Sequence, residues 1–268
     1  MKIGIVGGGV IGGATARAFA GFVDEVRVHD VRPERATHKL SQVLECDLIF
    51  ICLPTPRKLE SLECDTSAVE KFVGLTGPID RCRNFVLRST VPIGTTRRLR
   101  EQYNLPNLIH SPEFLTARTA TLDAMMPTRN IVGGGRFVKA GSCADMLASL
   151  YVRRFPGVPI YHLTSDESEA VKLFQNAFSA VKIACFNEFR CLADKLGLDW
   201  GNCLEALLAG GWINPMHTQV PGPDGKRGFG GACLPKDLDN LIECCEQAGV
   251  GHQVIWAAHE RNGEDRKR

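Results

Sequence analysis

Lys2-Ile3-Gly4-Ile5-Val6-Gly7-Gly8-Gly9-Val10-Ile11-Gly12-Gly13 decides the fold. Residues 2–6 read as a short buried strand, and the chain beyond the glycines reads as a helix to about Phe22. Gly7, Gly9 and Gly12 thus form G-x-G-x-x-G in the context it requires, a strand before and a helix after. Gly7 makes the tight turn, Gly9 lets a pyrophosphate approach the backbone, and Gly12 lets helix pack on strand. The next strand, residues 25–29, ends at Asp30, the spacing of an acid that holds the adenosine ribose hydroxyls. A carboxylate there repels a 2′-phosphate, so NAD is favoured over NADP. Arg32 and Arg35 keep NADP as the minority reading; they also suit the pyrophosphate, the adenine edge or solvent.

Further strands are expected at 47–53, 84–88, 107–110, 129–133 and 159–163, with helices between several of them. This alternation predicts an open, mostly parallel, doubly wound α/β sheet over residues 1–160, with its ligand at the carboxyl ends of the strands. Pro54-Thr55-Pro56, Ser89-Thr90-Val91-Pro92-Ile93-Gly94-Thr95 and Pro112-Glu113-Phe114-Leu115 lie there. Each alone is ordinary turn chemistry. Three at one sheet edge, each with a hydroxyl or carboxylate, argue for a site.

Residues 161–268 read as an all-helical domain. Thr164 and Glu167 form a capping box. The helix they open, 165–196, is about 48 Å long at 1.5 Å per residue, the length of a spine or a dimer seam. Lys172 and Asn176 stack on one face among Val171, Leu173, Phe174, Ala177 and Phe178. A lysine there is either an edge residue or drawn into a site. A cation with an amide is what a developing alkoxide or tetrahedral oxyanion needs. Asn187-Glu188 is a second polar intrusion or simply the exposed side. A helix at 200–209 and an irregular loop at 210–232 lead to Gly228-Phe229-Gly230-Gly231-Ala232-Cys233-Leu234-Pro235-Lys236-Asp237. Cys233 is placed at or near a helix N-cap with Pro235 in the first turn. The positive helix end favours thiolate there, and hence nucleophilicity. Helical runs at 236–248 and 253–262 follow.

Composition narrows the class. At 268 residues the chain makes two domains, with 44% hydrophobic and 23% charged residues, ordinary for a globular protein. A net charge of +2 argues against a dedicated nucleic-acid surface, and the closing Arg266-Lys267-Arg268 reads as a solvated tail. No run of eighteen apolar residues exists, and opening directly into a strand leaves no room for a signal peptide. The eleven cysteines, Cys52 and Cys82 among them, contain no C-x-x-C pair and no ligand rhythm, so no metal is expected. A reducing cytoplasm with mostly buried thiols is the economical expectation.

Together these segments resemble the nucleotide-sugar 6-dehydrogenases, the UDP-glucose and GDP-mannose dehydrogenase family, in order along nearly the whole chain. The Gly228–Asp237 stretch is the most specific. The resemblance implies a Rossmann-like NAD-binding domain, then a helical domain with one long central helix, and a homodimer. It implies oxidation of the C6 alcohol of a nucleotide sugar to a carboxylate in two steps with two NAD. Cys233 would attack the aldehyde and hold the thioester, and Lys172 and Asn176 would stabilise alkoxide and oxyanion. Asp237 with Thr90 would position water, and Glu113 would assist acid/base steps. Gly7, Gly9, Val10, Ile11, Gly12, Asp30, Arg35, Thr55, Thr90 and Lys236 would hold NAD. Glu113, Phe114, Leu115, Lys172, Asn176 and Gly230 would line the substrate.

The sequence departs from the family at three places. Family members usually continue into a third, nucleotide-binding domain, so this reads as a short form, with the expanded 220–227 loop in partial replacement. A glutamate usual four residues after Glu113 is Ala117 here. An arginine usual before Ile213 is Trp212, which would stack on a sugar or base or fill a core. Two competing readings stay open: a two-electron dehydrogenase of the β-hydroxyacid type, which needs no cysteine, and a dinucleotide-binding module without turnover.

Overall fold

The computed structural model describes residues 1–76 and 83–267; Cys82 and Arg268, named above, lie outside the described residues. The chain divides into two compact units. One comprises Met1–Pro56 and Asp65–Lys172, the other Arg57–Cys64 and Leu173–Arg268.

The first unit is built on a five-stranded parallel sheet. Its strands are β1 (Lys2–Val6), β2 (Glu25–His29), β3 (Leu48–Ile51), β4 (Phe85–Leu87) and β5 (Leu108–His110), in the order β2-β1-β3-β4-β5. Ile3 pairs with Val26 on one side and Leu48 on the other. Side chains alternate across a strand, and here both faces are buried. Leu48 and Phe50 join the core that holds Ile3, Ile5, Phe19, Leu147 and Tyr151. Ile49 and Ile51 join the opposite core with Phe72, Phe85, Leu87 and Leu99. Phe19, Phe50 and Phe85 are among the largest fully buried side chains, each contributing about 1.5–3 kcal/mol by burial. Helices α1 (Val10–Phe19), α5 (Ala120–Met125) and α6 (Cys143–Arg154) cover the first face. Helices α2 (Leu40–Val43), α3 (Ser67–Thr76) and α4 (Thr95–Gln102) cover the second, so the sheet is doubly wound as expected.

The remaining two expected strands do not extend this sheet. β6 (Asn130–Val132) and β7 (Ile160–His162) pair with each other in a separate two-stranded parallel sheet. The cause lies at the edge of β5. His110 and Gly133 exchange both backbone hydrogen bonds, at 3.2 and 2.7 Å, as an isolated antiparallel bridge. A chain running antiparallel past β5 ends the parallel ladder there.

The second unit is helical: most of α7 (Ser165–Leu196), then α8 (Trp200–Ala209), α9 (Leu234–Gln247) and α10 (Gln253–Asp265). The expected capping box opens α7, with Thr164 N donating to Glu167 Oε2 at 2.8 Å and Glu167 N to Thr164 Oγ1 at 3.2 Å. Leu173, Ala177, Ala180 and Ala184 form the apolar stripe of α7 and pack with Phe229, Leu238, Leu241, Ile242 and Ala258. The small alanines admit close helix approach. Arg57–Cys64 is an excursion of the chain closed by an antiparallel bridge between its ends; Leu62 packs on this core. Arg57 Nη1 donates to Asp239 Oδ2 of α9 at 2.9 Å.

Two sequence expectations need correction. The thiols are not mostly buried: of the ten described cysteines only Cys46 and Cys143 are, while Cys185, Cys203 and Cys233 are exposed. Cys185 and Cys203 fall on the outward faces of α7 and α8, because helical phase and not thiol chemistry sets their burial. Trp212 fills no core; it is 96% exposed, in the loop after α8.

Candidate active site

The loops at the carboxyl ends of all five parallel strands carry candidate groups of the first unit. Gly7 has φ +97°, and a Cβ on it would come 2.4 Å from Cys52 O. A Cβ on Gly12 would come 1.8 Å from Gly7 O, whereas one on Gly9 would meet nothing within 4 Å. The loop is therefore tight where it turns and packs, and open at the one glycine a pyrophosphate must approach. Gly9 caps α1 with no side-chain hydrogen bond, so the cap supplies no acceptor for the first-turn amides of Val10 and Ile11. Open space plus uncapped amides at the positive end of a ten-residue helix could hold a diphosphate. Asp30 accepts from Gly8 N at 2.7 Å and Arg32 N at 2.8 Å, which fixes its carboxylate at the end of β2. Arg35 is exposed, with its carbonyl packed against Gly8.

The loops after β3 and β4 are tied together. Thr55 Oγ1 donates to Thr90 O at 2.7 Å, and Ser89 Oγ to Leu53 O at 2.7 Å. After β5, Glu113 folds back so that Oε2 accepts from Leu115 N. Its other oxygen accepts from Lys172 Nζ at 3.0 Å, and the two side chains are only 5% and 4% exposed. Lys172 Nζ also lies 5.5 Å from the Phe114 ring centroid, with the Arg129 guanidinium 4.0 Å from the same ring. Lys172 is thus drawn inward, and the solvated-lysine alternative is excluded. Such a pair is costly to desolvate, and removing either partner strands a buried charge.

The second unit carries the candidate thiol. Cys233 is the N-cap of α9, exposed, with Pro235 in the first turn and Asp237 N donating to Cys233 O at 3.0 Å. Asp237, almost fully buried, accepts from Asn176 Nδ2 at 2.6 Å on Oδ2, and its Oδ1 faces Lys236 Nζ. Lys172 and Asn176 occupy successive turns of α7. The glycine turn before the cysteine is pinned by groups far along the chain. Gly228 N donates to Asn187 Oδ1 at 3.1 Å, Phe229 N to Asn262 Oδ1 at 2.7 Å, and Arg266 Nε to Phe229 O at 3.0 Å. Asn187 is therefore the polar intrusion and Glu188 the exposed side of that helix. The guanidinium of Arg266 also occupies the space beside Gly230 that any Cβ there would enter.

Other titratable groups are unsuited to the chemistry. Burial pushes the Cys52 thiol up to about 12 and raises that of Cys143 as well, so neither is a nucleophile near neutrality. Burial pushes His110 down to about 3, leaving it neutral with Nδ1 2.8 Å from Ser168 Oγ. Among the described residues no group of His, Cys, Asp and Glu is arranged to hold a metal ion, and no helix is long and apolar enough to cross a membrane.

Sequence reasoning missed Asn262, Glu169 and the Arg57–Asp239 pair, and it read Arg266 as solvated tail, whereas its guanidinium bonds Phe229 O and Asp224. Asn262 lies on α10 four residues before its C-cap Arg266, and Glu169 is one turn before Lys172, so helical spacing held the only available signal.

The NAD binding domain of the UDP-glucose/GDP-mannose dehydrogenase family matches residues 34–154, and the central domain of that family matches 166–264. The glycine loop precedes the first match. The UDP-glucose 6-dehydrogenase of Campylobacter jejuni is 28% identical over 222 residues, 82% of this chain and 54% of that protein. The structure of a UDP-glucose dehydrogenase from Pyrobaculum islandicum superposes with a TM-score of 0.81 at 26% identity, covering 98% of this chain and 68% of that one. A UDP-D-ManNAc dehydrogenase from Pyrococcus horikoshii gives the same values. The chain spans about half the length of the curated relatives it matches.

Proposed function

Because the chain belongs to the UDP-glucose/GDP-mannose dehydrogenase family, we propose that it oxidises the C6 primary alcohol of a nucleotide sugar to a carboxylate, in two NAD-dependent steps through Cys233. The observation that carries this reading is an exposed cysteine at the N-cap of α9, followed one turn later by the buried Asp237 that Asn176 and Lys236 hold in place.

Gly7–Gly12, Asp30, Arg35, Thr55, Thr90 and Lys236 would hold NAD, which would accept the hydride in both oxidations. In the first, the hydroxyl proton passes toward Glu113 while the Lys172 ammonium stabilises the developing alkoxide, and departure of a hydride from C6 leaves an aldehyde. The Cys233 thiolate, favoured by the helix N-terminus, adds to the carbonyl carbon, and the oxygen takes a proton to give a thiohemiacetal. Lys172 and Asn176 carry the charge on that oxygen. Loss of a second hydride and the hydroxyl proton converts it to a thioester. Water positioned by Asp237 and Thr90 then attacks the thioester carbon, the C–S bond breaks, and carboxylate and thiol are released. Phe114, Leu115 and Gly230 complete the substrate contacts in this reading.

The protein acts as a homodimer in this account. Phe174, Phe178, Cys185, Phe189, Leu192 and Leu196 are all exposed on α7. At 3.6 residues per turn they fall within about 60° of one another, forming an apolar seam along the helix. The thiol-rich composition suits the cytoplasm.

The test is NADH formation at 340 nm with UDP-glucose, GDP-mannose, UDP-N-acetylhexosamines and free nucleosides, alongside Cys233→Ser. Two NADH per product on one substrate, lost in the variant, supports the proposal. One NADH per product, undiminished by the substitution, replaces it with two-electron chemistry. NADH binding without turnover on any of them rejects it.

A further inference from the structure

Glu169 lies one turn before Lys172 on α7 and is 1% exposed. Oε2 accepts from Gly94 N at 2.6 Å, and Oε1 accepts from Thr96 N at 2.8 Å and Thr96 Oγ1 at 2.6 Å. These donors sit at the N-terminus of α4, whose own N-cap, Gly94, has φ +90° and no side chain to offer. This carboxyl interacts electrostatically with the Arg97 guanidinium of α4 but accepts no hydrogen bond from it in the contacts above. Its charged neighbour on α7 is Asp166, held by Arg97 of α4 at 3.0 Å, and burial pushes Glu169 up to about 7. At φ +90° any side chain at position 94 would be strained, so the N-terminus of α4 takes its acceptor from a remote carboxylate instead of a local cap. What the remote carboxylate adds is a tether between two elements.

The tethered segment is the loop after β4 that bears Thr90. At one end Thr55 holds Thr90 O and Leu53 O holds Ser89. At the other end Glu169 holds Gly94 and Thr96, and buried Val91 lies between. We infer that Glu169 is a positioning residue, which sets the Thr90 loop of the dinucleotide site against the helical turn that presents Lys172. The inference rests on the reading of Thr90 as a dinucleotide contact.

The experiment is NADH binding by fluorescence titration, with thermal melting in parallel, for the full chain and for Glu169→Gln and Thr96→Val. Gln keeps a carbonyl acceptor but turns an NH2 toward a backbone donor. Thr96→Val removes one hydrogen bond and leaves the α4 backbone amides engaged. Glu169→Gln is expected to raise the NADH Kd at least fivefold, and Thr96→Val about twofold, in proteins that still melt cooperatively. Should Glu169→Gln not fold, the Thr96→Val titration decides. A lowered melting temperature with unchanged NADH affinity in both variants makes Glu169 a helix cap only and overturns the inference. If the unaltered chain binds no NADH, the dinucleotide reading of this loop fails, and the inference with it.

Discussion

Replacing Lys172 with methionine removes the ammonium and keeps most of the stem. Glu113 is then left with one buried oxygen facing no cation, at a side chain 5% exposed. Breaking a buried pair by removing one partner costs about 3–5 kcal/mol, because the remaining charge is uncompensated. In a unit of this size that corresponds to a melting shift of roughly 6–20 °C. Removing both charges with Lys172→Met/Glu113→Gln leaves no stranded ion, so the double variant is expected to recover at least half of the loss. Urea unfolding of the four proteins, arranged as a double-mutant cycle, reads both the single losses and the recovery. Single variants within about 0.5 kcal/mol of the unaltered chain, the scatter of ordinary surface substitutions, would refute the reasoning.

Glu169, raised from 4.5 to about 7, disfavours the ionised folded state. Its stability contribution is full below the unfolded pKa and is lost as pH rises toward 7, at up to about 1.4 kcal/mol per pH unit. Glu169→Gln should lack that slope, so the stability difference between the two proteins changes from pH 4.5 to 7.5; a constant difference counts against it. Gly12→Ala places a methyl 1.8 Å from Gly7 O and is expected to abolish NADH binding, measured by fluorescence. If the proposed α7 homodimer forms, Phe178→Lys puts a charge in its seam and is expected to give a monomer by light scattering, with the melting temperature of a properly folded chain. An unchanged mass removes α7 as the interface.

Local pattern carried much of this fold. The glycine loop, the alternating apolar strands, the Thr164–Glu167 box and the proline after Cys233 are signals between residues a few positions apart, and each marks the element found. Where the structure adds something, the determinant is distant. Lys172 has two readings in sequence because its partner Glu113 is 59 residues away. Arg57 and Asp239 are 182 apart, and nothing in the period of either segment joins them. The separation of β6 and β7 from the main sheet depends on a backbone exchange at Gly133 that side-chain pattern does not encode. Cysteine burial was misjudged because composition says nothing of helical phase. Among the candidate groups, Asn187 was visible only as one of two adjacent polar residues, and its role came from the Gly228 amide it accepts.

The central claim is that one particular thiol carries the substrate between two oxidations. It is tested most directly by mass spectrometry of Asp237→Asn, quenched during reaction with NAD and the nucleotide sugar identified in the turnover assay. Among the described residues Cys203 is exposed as Cys233 is and lies outside the α7 seam, so it serves as the internal control. The account predicts an acyl adduct on the Cys233 peptide alone, because water attack on the thioester is slowed. Turnover of the unaltered chain with no adduct on Cys233 in the variant, or equal labelling of Cys203, would contradict it.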